Sequence, residues 1–100
     1  MQLARFLNKV FKKDGFILVD ANSKNYIIGT PNNENPIKLK ILDKKLHYKL
    51  LFHPDLYFGE AYTDGDIVIE NGSLTDFLDL ALMNFGRNEL NFFSYLINKL

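Results

Sequence analysis

The chain has 100 residues, nearly half of them hydrophobic, which is enough for one core and too few for a second domain. Twelve Lys and Arg balance twelve Asp and Glu, so no global positive field attracts a nucleic acid and any partner recognised by charge must meet a local patch. Cysteine is absent, which excludes a disulfide framework and a cysteine-based zinc site and suits a cytoplasmic location.

From Gln2 to Lys13, Leu3, Phe6, Leu7, Val10 and Phe11 recur at the spacing of one helical face, with Arg5, Lys9, Lys12 and Lys13 over much of the rest. Arg5, Asn8 and Lys9 break up the apolar run that a secretory signal would need, and no stretch approaches the roughly 18 to 20 apolar residues of a membrane span. Asp14-Gly15 is expected to stop this helix, with the glycine as the left-handed residue. Phe16 to Asp20 and Asn25 to Gly29 read as a β-hairpin across a polar turn, Ala21 to Lys24. After loop chemistry from Thr30 to Pro36, Ile37 to Ile41 alternates apolar and charged residues as a half-buried strand does.

Asp43 suits an N-cap for a helix carrying Leu46, Leu50 and Leu51, which Pro54 should end near His53. Pro54 is expected to open one further turn, over Asp55 to Tyr57, that Gly59 breaks. Thr63-Asp64-Gly65 reads as a turn into a fourth strand, Asp66 to Glu70. Ser73 with Asp76 forms a capping box for a helix through Leu74, Phe77, Leu78, Leu80, Ala81 and Leu82. Past Gly86, Leu90, Phe93, Ile97 and Leu100 mark a last helix that reaches the chain end without a polar tail, as in a domain cut off before a second one begins. The expected fold class is therefore α+β, a small mixed sheet of about four strands with flanking helices, as one domain over residues 1–100.

The stretch from Leu51 to Asp66, and above all Gly59-Glu60-Ala61-Tyr62-Thr63-Asp64-Gly65, resembles the N-terminal domain signature of the bacterial cyclopropane-fatty-acyl-phospholipid synthase family. In that family a Gly-Glu-Ala/Ser-Tyr-x-Asp-Gly core follows a helix ending in Pro-Asp-Leu. The likeness extends upstream through the hairpin and Ile37 to Ile41, and downstream through Gly72 to Leu78. It implies a non-catalytic N-terminal accessory domain whose parent carries a separate S-adenosylmethionine-dependent methyltransferase domain acting on unsaturated acyl phospholipids. The six glycines here form no dinucleotide-type phosphate loop, so neither catalytic nor cofactor-binding residues are expected in this chain. The order of elements also looks like a sterol-carrier-type lipid-binding fold.

Within the signature, Glu60, Tyr62 and Asp64 between Gly59 and Gly65 have the groups for acid-base work or for orienting a neighbouring domain. Turn chemistry at Asp64-Gly65, with Tyr62 in the core and Glu60 on backbone donors, explains the same residues without a substrate. The first helix has two readings as well. Either Phe6, Leu7, Val10 and Phe11 dip into lipid while Arg5, Lys9, Lys12 and Lys13 meet anionic headgroups, or the apolar face packs on the sheet.

His47 and His53 lie six positions apart with no cysteine, and Asp64-Gly65-Asp66 lacks calcium-loop spacing, so no metal is expected. The aromatic run Phe85, Phe92, Phe93 and Tyr95 suits an interface with the missing catalytic domain or with a second copy in a homodimer. Three functions follow in order. The first is an accessory domain engaging a phospholipid surface or an acyl chain, peripheral to the inner face of the membrane. The second is a stand-alone lipid carrier, and the third a structural or dimerisation module; nucleic-acid binding comes last.

Overall fold

The computed structural model describes residues 1–85. Chain order is α1 (Gln2–Val10), β1 (Gly15–Val19), β2 (Asn25–Gly29), β3 (Lys38–Ile41), α2 (Lys44–Phe52), α3 (Pro54–Asp64), β4 (Ile67–Glu70) and α4 (Leu74–Asn84). The expected last helix and Gly86 lie outside the described residues.

The strands form one mixed sheet in the order β2-β1-β3-β4, making this an α+β fold. β1 and β2 are an antiparallel hairpin with Phe16 opposite Ile28, β1 and β3 run parallel with Leu18 beside Leu39, and β3 and β4 are antiparallel with Ile41 opposite Ile67. Two-residue alternation turns Phe16, Leu18, Ile28, Leu39, Ile41 and Ile67 to one face, where they are buried in a common core with Leu3, Leu46, Leu50, Phe58, Phe77 and Ala81 of the helices. The other face carries Lys38, Lys40 and Glu70, with a 2.7 Å ion pair between Lys40 and Glu70. That bond from Lys40 holds the Glu70 carboxyl below the ordinary carboxylate range.

Five phenylalanines knit the layers together. Phe16 meets Phe11 and Phe77 edge-on at 5.0 and 5.2 Å between ring centroids, Phe77 stacks on Phe58 at 5.4 Å, and Phe11 meets Phe85 edge-on at 5.8 Å.

Capping follows the sequence closely. The Asp43 side chain accepts the Lys45 N–H at the start of α2. At α4 the Ser73 hydroxyl accepts from the Asp76 N–H at 3.1 Å while the Asp76 carboxylate accepts from the Ser73 N–H at 2.9 Å. This exchange lowers the Asp76 pKa, first through the Ser73 backbone donor and then through its side chain. In the hairpin turn the Asp20 carboxylate accepts from the N–H groups of Asn22 and Lys24, both at 2.9 Å. Burial alone would raise the Asp20 pKa, but these donors outweigh it and the net shift is downward.

Three local expectations need correction. The first helix ends at Val10, not Lys13, because Phe11 turns to extended geometry and buries its ring. The freed N–H groups of Lys12 and Lys13 both donate to Asn84 Oδ1 at 2.7 Å, and Asn84 Nδ2 donates back to the Lys13 and Leu80 carbonyls. The left-handed residue after that helix is Asp14 (φ 61°), whose carboxylate accepts from Gly15 and Asn32. Gly15 serves a different purpose, since it faces Gly29 in the hairpin where the two backbones nearly touch.

The third correction concerns Gly59, which does not break the helix. α3 runs on to Asp64, because Phe58 and Ala61 bury in the core and outweigh the roughly 1 kcal/mol that a helical glycine costs. Strand and loop ends otherwise shift by a residue: β1 starts at Gly15 and β3 at Lys38.

Candidate functional site

The signature Gly59 to Gly65 is the second half of α3 and its terminus. Gly59 is buried, and its carbonyl accepts the Thr63 hydroxyl at 2.9 Å. Gly65 adopts φ 83°, its N–H donates to Tyr62 at 3.2 Å, and the Asp66 N–H donates to Ala61 at 2.8 Å. This is the paired closure of a helix that ends on a left-handed glycine. Nothing lies within 4 Å of where a Gly65 side chain would begin, so Gly65→Ala meets no clash and only conformational strain. It is expected to lower unfolding free energy by about 1–2 kcal/mol in urea titration.

Helix geometry separates the signature's polar groups. Glu60 and Asp64, one turn apart, are exposed and line a small polar recess with Asp43, Asp66, Lys49 and Tyr57. Tyr62 stands about 200° around the helix from Glu60. It is half-buried in a separate groove with Ile67, Ile69 and Leu74. The phenol and the two carboxylates therefore do not converge on one reacting atom. Among the described residues no group of His, Asp or Glu is arranged to hold a metal ion.

The residues singled out on and after α1 divide by exposure. Arg5, Lys9, Lys12 and Lys13 are exposed, while Phe6 and Val10 are half-buried. Val10 packs against the core, and Phe6 lines an apolar cleft with Leu3 and Leu7 of α1, Leu50 of α2, Pro54 and Phe58 of α3, and Ala81 and Phe85 at the end of α4. Every described residue lining this cleft is apolar, and its cavity volume is about 50 Å³. Pockets that enclose a drug-sized ligand run to about 300–1,000 Å³. The cleft admits no more than a few methylene groups.

The most exposed apolar side chains of α2 are not distinguished by the sequence. Tyr48 and Phe52 of α2 face solvent, while Leu46 and Leu50 go into the core. Both pairs have the same four-residue spacing, so periodicity shows two apolar stripes without saying which one faces inward. Among the described residues no helix is long and apolar enough to cross a membrane.

These features define a two-layer α+β domain with an apolar cleft between its helices and basic residues on the outer side of α1. Comparison with known proteins adds no family to this description: no protein-family model matches the chain, and no curated protein matches it.

Proposed function

We propose that this chain is a non-catalytic domain that engages a phospholipid surface, of the kind that stands N-terminal to the methyltransferase domain in cyclopropane-fatty-acyl-phospholipid synthases. The carrying observation is that α1 lines the apolar cleft with Leu3, Phe6 and Leu7 while it presents Arg5 and Lys9 to solvent, followed by exposed Lys12 and Lys13. Basic residues near an anionic surface contribute about 1 kcal/mol each. Four of them support a useful and reversible attachment on the cytoplasmic side of a membrane, where anionic headgroups are found.

In this reading S-adenosylmethionine and the methyl-transfer chemistry belong to another domain of the parent protein. The signature residues then serve to close α3 and to shape the surface that such a domain would meet. The stand-alone carrier reading would need several hundred cubic ångströms for an acyl chain, and the small cleft counts against it.

Co-sedimentation tests the proposal. The 100-residue chain is expected to pellet with phosphatidylglycerol-containing vesicles, less so with neutral ones, and to dissociate as salt rises. Changing Lys9, Lys12 and Lys13 to glutamate should weaken binding at least tenfold. No binding to either vesicle would move the domain to a structural or dimerising role without lipid contact.

A further inference from the structure

We infer that the hydrocarbon-contacting element of this domain is the ridge formed by Tyr48 and Phe52 of α2, which inserts between the headgroups of an anionic bilayer; the inference rests on the phospholipid-surface reading above. Tyr48 is 63 % exposed and Phe52 76 %, and Phe52 is the most exposed large apolar side chain among the described residues. At about 100° per residue, Lys44, Tyr48, Phe52, Lys45 and Lys49 fall in that angular order within an arc of about 140°. The two aromatic rings are thus bracketed by lysines on both sides. α2 contains no acidic residue, and among the described residues neither Lys44 nor Lys45 forms an ion pair.

Two features choose the occupant. Protein interfaces deplete lysine around their aromatic anchors, and a second copy docked on the same ridge would set lysines against lysines. At a membrane interface aromatic rings and long basic side chains are favoured together, the rings at headgroup depth and the amines reaching to phosphate. In addition, Lys44 and Lys45 occupy the first turn of α2, where the helix dipole disfavours positive charge. An anionic surface relieves that opposition. α1 packs beside α2 and adds the exposed Arg5 and Lys9 to the positive charge of the domain's helices.

The chain has no tryptophan, so a single one reports its own surroundings. Phe52→Trp is compared with Ile27→Trp, because Ile27 is 67 % exposed on the sheet face opposite the helices. With phosphatidylglycerol vesicles, Phe52→Trp emission is expected to shift to the blue and to be quenched by brominated acyl chains, and Ile27→Trp emission to stay unchanged. Tyr48→Ser with Phe52→Ser should lower vesicle binding about tenfold or more, with the circular dichroism spectrum unchanged because both side chains are outside the core.

If the wild-type chain sediments with vesicles but Phe52→Trp neither shifts nor is quenched, the ridge is overturned and the surface reading stands. If Ile27→Trp shifts instead, the opposite face binds and the ridge is likewise overturned. A wild-type chain that ignores vesicles, or that binds only single-stranded oligonucleotides, overturns both.

Discussion

Phe16→Ala is expected to destabilise the domain by about 3–5 kcal/mol, as large-to-small changes of a buried aromatic do. The ring is fully buried and sits at the centre of the phenylalanine series, edge-on to Phe11 on one side and to Phe77 on the other. Its removal opens a cavity that lies against the existing apolar cleft, which Phe16 also lines. It also cuts two aromatic contacts, each worth about 0.5–1.5 kcal/mol beyond the area they bury. Natural domains hold only about 5–15 kcal/mol in all, so this one change takes much of the total. Urea titration with an unchanged slope and a large drop in midpoint would bear this out. A loss below about 1 kcal/mol would mean that the ring is not the link between sheet and helices.

Gly15→Ala is expected to cost about 3 kcal/mol, the upper end of what overpacking costs. A side chain at Gly15 would run into the Ile28 carbonyl oxygen and come to 2.9 Å from the Thr30 nitrogen. Both are backbone atoms and neither can swing aside. Moving them would separate β1 from β2 at the Gly15–Gly29 pair, where the Gly29 N–H also donates to Asn8 of α1 at 2.8 Å. The comparison with Gly65→Ala isolates the cause, since Gly65 has strain without a clash and Gly15 a clash with backbone. Thermal unfolding should therefore rank Gly15→Ala clearly below Gly65→Ala, and equal midpoints would show that the strands part easily there.

Much of the fold is legible from local chemistry. The alternation of Lys38 to Ile41, the Asp43 cap and the Ser73–Asp76 box each name their element, because the signal, a two-residue period or the donor and acceptor of a cap, lies within four residues. The candidate site was legible in part. The basic residues of α1 could be named from sequence, whereas the exposed ridge could not, since Tyr48 and Phe52 share the helical spacing of the buried Leu46 and Leu50. Inside the signature, adjacency in sequence suggested a cluster of polar groups that a helix then spreads around its axis.

By itself, then, the sequence determined where the elements fall and how they are capped, because hydrophobic periods and cap partners lie within a few residues of one another along the chain. Only the tertiary structure decided where α1 stops, because Asn84 holds the Lys12 N–H across 72 residues. It also decided that α3 passes through Gly59, that β3 pairs parallel to β1, and which stripe of α2 meets solvent. In each case the deciding energy is burial or hydrogen bonding between residues far apart in sequence, and that exceeds the local preference of about 1 kcal/mol that opposes it.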